Sequence, residues 1–392
     1  MKNLFCSTMK LALCCAVPAL LSSSCAGTKP VEPEKKPVVI AYVGGYRGLV
    51  DTSLISPEKV THINYAFVNL VDGRAVLSNE TTDTVNFRAL NALKTSNPDL
   101  KILISIGGWT WSGHFSDAVL TEEGRRLFAR TSADIVSRYE LDGVDIDWEY
   151  PGFGGLKGNI VRPEDKQNYT LMFESLRESL DSLSGVTGKE YLLTTAVGGF
   201  KKFTEFTEMD KAQKYLDYVN LMTYDYYPDT VAVHHTNMYH SEGYACENSG
   251  DAAVQAFLEA GVPADKLVVG IAFSSRAFTL KEGAKAGLAD TVVTQTRIGG
   301  GGFTRIKDSL ENKKGFEKFW DSTARAPYLF NASERIFVTY DDERSVMEKC
   351  AYVRENGLAG VMFWEYMADP KEYLLDAINE GFNGSEYYKA DN

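Results

Sequence analysis

Eight short apolar runs recur along the chain, each followed by a longer stretch of mixed polarity. The runs lie at 38–43, 62–67, 101–108, 141–150, 191–197, 219–225, 267–273 and 358–364. Most are near-continuously apolar, as expected for strands buried on both faces of a parallel sheet. Between them, residues 85–93, 121–140 and 164–183 carry apolar positions at helical spacing. In the second of these, Leu127, Phe128, Ile135 and Val136 share one helix face. Strand-like and helix-like stretches in alternation predict an α/β fold, a (β/α)8 barrel. One interval breaks the rhythm. Residues 277–338, between the seventh and eighth runs, far exceed the usual connection of about two to six residues.

The fourth run departs from plain hydrophobicity. It reads Leu141-Asp142-Gly143-Val144-Asp145-Ile146-Asp147-Trp148-Glu149-Tyr150-Pro151. Successive strand side chains point to opposite faces. Asp145, Asp147 and Glu149 therefore share one face, and Val144, Ile146 and Trp148 share the other. Three acids over roughly 13 Å, at about 3.3 Å per residue, repel one another and are costly to bury unpaired. The apolar face suits a helix layer; the acidic face must line a polar site. Pro151 has no N–H for the ladder and is expected to end the strand. That places Glu149 at the strand's C-terminal end, where such barrels carry their catalytic groups. A calcium loop needs spaced oxygen ligands around a sharp glycine turn, and this alternation with Val, Ile and Trp does not supply one.

Composition narrows the function. The 392 residues carry a formal net charge of -12, which argues against nucleic acid or anionic lipid as partner. A neutral polymer is not opposed. His234, His235 and His240 lack the spacing of a helical His-Glu-x-x-His site, so no metal is expected, and no phosphate loop or cofactor fingerprint is present.

The N-terminus carries a targeting pattern. Lys2 and Lys10 form a positive segment ahead of an apolar run at 11–21, which is too short for a membrane span. Ser22-Ser23-Ser24-Cys25 follows. The pattern resembles a bacterial lipoprotein signal, with 1–24 removed and Cys25 lipidated. Residues 25–36, with Pro30 and Pro33, read as an extended tether. The expected location is the cell envelope, on the periplasmic side or outer surface. Cys246 and Cys350 lie in different regions, and whether they pair stays open.

The acidic stretch resembles the DxxDxDxE signature of glycoside hydrolase family 18, the chitinase family, with Asp142, Asp145, Asp147 and Glu149 in the four acidic places. Further matches are Ser105-Ile106-Gly107-Gly108 before Trp109, Met222-Thr223-Tyr224-Asp225 on the sixth run, Arg276 after the seventh, and Trp364 closing the eighth. At 274–275 the chain has Ser-Ser where that family often has Tyr-Gly.

The resemblance implies a barrel over 37–276 and 339–382, with a small α+β insertion at 277–338. It implies that Glu149 is the general acid and that the substrate's own N-acetyl oxygen attacks the anomeric carbon. Asp147 would orient that group, Asp145 would share a proton with Asp147, and Tyr224 would bind the acetyl oxygen. Tyr42, Phe67, Gly108, Trp109, Met222, Asp225, Arg276 and Trp364 would contact sugar. The implied protein is a monomeric retaining chitinase on β-1,4-linked N-acetylglucosamine, anchored to a membrane through Cys25. Two alternatives share the motif: an endo-β-N-acetylglucosaminidase on N-glycan cores, and a non-catalytic chitin-binding lectin. The presence of Glu149 speaks against the lectin.

Overall fold

The structure is a computed structural model that describes residues 36–245, 247–299 and 301–384. The expected signal at 1–24, Cys25 and Cys246 lie outside these residues. Eight parallel strands close a barrel. They are β1 (Val38–Gly44), β2 (His62–Val71), β4 (Lys101–Gly107), β5 (Gly143–Asp147), β6 (Leu192–Gly198), β7 (Tyr218–Met222), β8 (Leu267–Ala272) and β14 (Gly360–Trp364). Each pairs with the next, and β14 returns to β1. A short β3 (Arg74–Val76) folds back antiparallel on β2.

Strand alternation builds two separate apolar regions. On β1, Val39, Ala41 and Val43 face the helices and join the main core, whereas Val38, Ile40 and Tyr42 face the barrel interior. The interior cluster continues through Ala196, Val268 and Met362, so the lower barrel is plugged with side chains. On β5, Val144 and Ile146 go outward. Beyond the strand, Trp148 stacks on Phe115 with ring centroids 5.1 Å apart. The predicted helices are Glu80–Ala92, Glu122–Arg138 and Asp165–Thr187. Asn79 and Thr121 cap the first two with side-chain oxygens.

Between β8 and β14 runs a second sheet, ordered β10 (Val292–Thr296), β9 (Arg276–Leu280), β13 (Ile336–Thr339), β12 (Ala326–Asn331), β11 (Glu317–Asp321). All its pairings are antiparallel. Its own small core holds Phe278, Leu280, Phe330 and Phe337.

Three sequence expectations need correction. The fourth strand does not run to Pro151: its ladder stops at Asp147. The Glu149 N–H instead donates to Ser112 Oγ at 2.9 Å, and its carbonyl accepts from Asn159 Nδ2 at 3.1 Å. Loop side chains have replaced the ladder. The sixth strand likewise stops at Met222 rather than Asp225, and Asp225 itself takes φ +63°, outside any strand region. The second strand extends past Phe67 to Val71 and turns through Asp72-Gly73, both at positive φ. That is the two-residue hairpin chemistry of Asp-Gly.

Candidate active site

Register on three strands decides which acid is satisfied. Ser105, Asp145 and Thr194 lie level with one another on β4, β5 and β6. Both neighbouring hydroxyls therefore reach Asp145: Ser105 Oγ donates to Oδ2 at 2.7 Å and Thr194 Oγ1 to Oδ1 at 2.6 Å. The Tyr42 hydroxyl donates to Oδ2 at 2.9 Å, and Asn220 Nδ2 approaches Oδ1 at 3.3 Å. Two residues along, Asp147 is level with Gly107 and Ala196. Neither offers a side-chain donor, and Asp147 Oδ1 is buried with no hydrogen-bond partner among the described residues.

Gly107 and Gly108 shape this level of the barrel. Gly107 sits at φ +111°, and a Cβ there would lie 2.3 Å from the Asp147 carbonyl. Gly108 sits at φ +81°, and a Cβ would meet the Phe67 ring at 2.6 Å. Any other residue would push the loop or the ring out of place. Gly107 lines the groove and Gly108 does not. Gly108 acts from below: its N–H donates to the Asp147 carbonyl at 2.8 Å.

The acids lie under a groove of about 930 Å³. Asp145, Asp147 and Glu149 are 0%, 4% and 8% exposed. Burial raises the Asp145 carboxyl above the usual range, and its four donors oppose that rise. Asp147 is pushed well above the usual range by burial and then by the charges of Glu149 and Asp145. Burial lifts Glu149 to about 7; a hydrogen bond with Tyr150 opposes this and the charge of Asp225 adds to it. Close carboxylates in an apolar setting hold a proton that isolated ones would release.

Tyr224 and Asp225 follow β7, two strands on from β5. Among the described residues the Tyr224 hydroxyl meets only the Met362 thioether, at 3.8 Å, a weak acceptor, so it is available to a ligand. Asp225 pairs with Arg276 Nη2 at 2.7 Å, and its side chain is 42% exposed. Burial works against its charge, yet His235 and Arg276 hold its carboxyl below the usual range. Met222 ends β7 within the interior cluster and lines the groove.

Aromatic rings form the rest of the lining. Trp364 stacks on Phe67 at 5.5 Å and 20°, and on Tyr46 at 6.3 Å and 10°. Trp111 meets Phe67 edge-on, and Trp109, 49% exposed, stands at the rim. Apolar sugar faces stack on such surfaces. Tyr42 lines the groove too, although its hydroxyl is committed to Asp145. Asp142 lies apart from the site. It accepts from the Ile102 N–H and pairs with Lys94 at the far end of β5.

Sequence reasoning missed Tyr46, Tyr150, Tyr227 and Asp229, which all line the groove. Tyr46 sits in a single turn after β1, and no periodic pattern marks it. It also missed Ser105, Thr194 and Asn220 as partners of Asp145, since hydroxyls in strands are common. His234 pairs with Asp321 at 3.2 Å and His235 faces Asp225 at 3.5 Å. Among the described residues no group of three or more His, Cys, Asp or Glu could hold a metal ion.

Comparison with known proteins agrees with this geometry. The sequence profile of glycosyl hydrolases family 18 matches residues 38–369. Chitinase A1 of Niallia circulans is 37% identical, over 83% of this chain and 55% of its own length. Chitotriosidase-1 of Mus musculus is 32% identical, over 83% of this chain and 70% of its own. The solved structure of a family 18 N-acetylglucosaminidase from Paenibacillus barengoltzii is 40% identical, with a TM-score of 0.81, covering 88% of this chain and 99% of that one. This chain thus spans only about half the length of chitinase A1. With its profile match over most of its length, this chain belongs to glycoside hydrolase family 18.

Proposed function

We propose that the chain is a retaining chitinase, cutting β-1,4-linked N-acetylglucosamine chains by substrate assistance. The observation that carries this reading is the unpartnered Asp147 Oδ1 between a saturated Asp145 and a proton-holding Glu149. Glu149 protonates the leaving oxygen. The acetamido oxygen of the sugar on Trp364 attacks the anomeric carbon from the other side. Asp147, whose proton Asp145 shares, accepts the acetamido N–H at its empty oxygen and, once ionised, offsets the positive charge that develops. Tyr224 donates to the acetyl oxygen and aims it. Glu149, now ionised, takes a proton from the incoming water, which opens the cyclic intermediate. Two displacements at one carbon retain its configuration. Asp145 stands behind Asp147 and steadies its charge and rotamer.

Asp225, Arg276, Met222 and the rings of Phe67, Trp109 and Trp364 hold neighbouring sugars. We read the sheet at β9–β13 as an insertion that builds one wall of the groove. Arg276 opens β9, and Tyr227 packs on Phe278 of the same strand at 5.2 Å. Cys25 is read as a lipid attachment point that keeps the enzyme on the cell envelope. No helix of the described residues is long and apolar enough to cross a membrane. Labelling with radioactive palmitate, lost in Cys25→Ala, tests that anchor.

Incubation with chitohexaose and, separately, a high-mannose glycoprotein tests the activity. Shorter chito-oligomers support the proposal. Released glycans with intact hexaose favour the N-glycan enzyme, and binding without cleavage favours the lectin.

A further inference from the structure

Glu149 lies beyond the last rung of β5, so strand pairing does not hold its backbone. Two side chains hold it instead. Ser112 is wholly buried, and its Oγ accepts the Glu149 N–H at 2.9 Å. The direction of that bond is fixed, because a backbone N–H can only donate. The one hydroxyl proton goes to a carbonyl, that of Gly108 at 2.8 Å or of Asp147 at 3.2 Å. On the other side of the same residue, Asn159 Nδ2 donates to the Glu149 carbonyl at 3.1 Å.

The course of β4 explains why such help is required. β4 pairs with β5 as far as Gly107 and Asp147, and β6 pairs with it as far as Ala196 and Asp147. Gly107 and Gly108 then turn at φ +111° and +81°, and the chain leaves the sheet to put Trp109 and Trp111 in the groove lining. The ladder therefore ends where the acid stands. The same loop then returns to β5. The Gly108 N–H donates to the Asp147 carbonyl at 2.8 Å, Phe115 stacks on Trp148 at 5.1 Å, and Ser112 takes the Glu149 N–H. Three successive residues are each gripped by one residue of that loop. Asn159 stands beside it: a Cβ on Gly113 would lie 3.2 Å from Asn159 Oδ1. Gly155, at φ +79°, lets its own loop pass close to Glu149, since a Cβ there would lie 2.2 Å from the Glu149 carbonyl oxygen.

We infer that Ser112 and Asn159 are positioning residues: they clamp the Glu149 backbone from its two sides and so hold the carboxyl in one place relative to the leaving oxygen. The inference deepens the reading of Glu149 as the proton donor and rests on it. Neither residue lines the groove, so removing either leaves the sugar-contacting rings in place. Without Ser112 the Glu149 N–H is a buried donor with no acceptor, and the segment shifts to find one.

The test compares two leaving groups. A sugar alcohol leaving from chitotetraose needs the acid's proton; dinitrophenolate leaving from a dinitrophenyl chitobioside is weakly basic and needs little of it. On chitotetraose, Ser112→Ala should lower kcat/KM about tenfold, the effect of a displacement smaller than the ångström that costs about 10²-fold. On the dinitrophenyl substrate the change should stay within about twofold, as acid catalysis contributes little there. Asn159→Ala, at a half-buried position, should show the same selective loss, and it carries the test if Ser112→Ala does not fold. Equal losses on the two substrates, or no loss on chitotetraose, overturn the inference. Hydrogen exchange of the Glu149 amide should be slow in the wild type and quicken in Ser112→Ala; fast exchange in the wild type overturns the inference without any variant. A wild type inactive on both substrates contradicts the chitinase reading, whereas an active wild type with equal losses overturns the roles of Ser112 and Asn159 alone.

Discussion

The Tyr42 hydroxyl donates to Asp145 Oδ2 at 2.9 Å, joining residues 103 apart in sequence. Among the described residues it is the one donor to Asp145 from outside β4–β7, and it comes from the interior face of β1. Removing it leaves Asp145 in place, held by Ser105 and Thr194. Tyr42→Phe is expected to lower kcat about tenfold, the scale of a hydrogen bond to a charged group. KM should change little, because the ring stays in the lining. Steady-state kinetics on chitotetraose check the split.

Glu149→Gln removes the proton donor and keeps the shape. General acid catalysis contributes about 10²–10⁴-fold, so kcat falls by that order. Titration calorimetry should still show chitohexaose binding close to wild type.

The pH profile follows from the raised acids. Glu149 must hold its proton to act, so kcat/KM should fall as pH rises through about 7. Asp225 contributes to that rise, and Asp225→Asn should move the alkaline limb to lower pH. Stability carries the same signature. Between the ordinary carboxyl value of 4.5 and about 7 the folded chain holds a proton that the unfolded chain releases. Unfolding is then favoured as pH rises across that window. Melting temperature should decline from pH 5 to pH 7, less steeply in Glu149→Gln.

Lys349 is fully buried against Asp341. Lys349→Met leaves that carboxylate without a counter-charge, a loss of about 3 kcal/mol. Denaturant titration measures it. Asp341→Asn in the same chain should return part of the loss.

The acidic strand was legible because side-chain alternation alone puts Asp145, Asp147 and Glu149 on one face and three apolar residues on the other. The eight strands were legible for the same reason, as both their faces are buried. Their ends were not. Glu149 leaves the ladder as Ser112 Oγ takes its N–H and Asn159 Nδ2 its carbonyl, and neither partner is marked by the strand's own pattern. The partners of Asp145 depend on register, which levels Ser105 and Thr194 with it and Gly107 and Ala196 with Asp147. No local pattern encodes that. Gly108, expected to contact sugar, packs against the Phe67 ring and is not part of the lining. Asp72-Gly73 was a readable turn that went unread.

The central claim is a retaining cleavage in which Glu149 is the acid and the substrate supplies the nucleophile. Proton NMR of chitohexaose, followed from the first minutes of reaction, tests it most directly. New reducing ends should appear first as the β-anomer, then equilibrate, and none should form with Glu149→Gln. An initial α-anomer, or unchanged cleavage by the variant, would contradict the account.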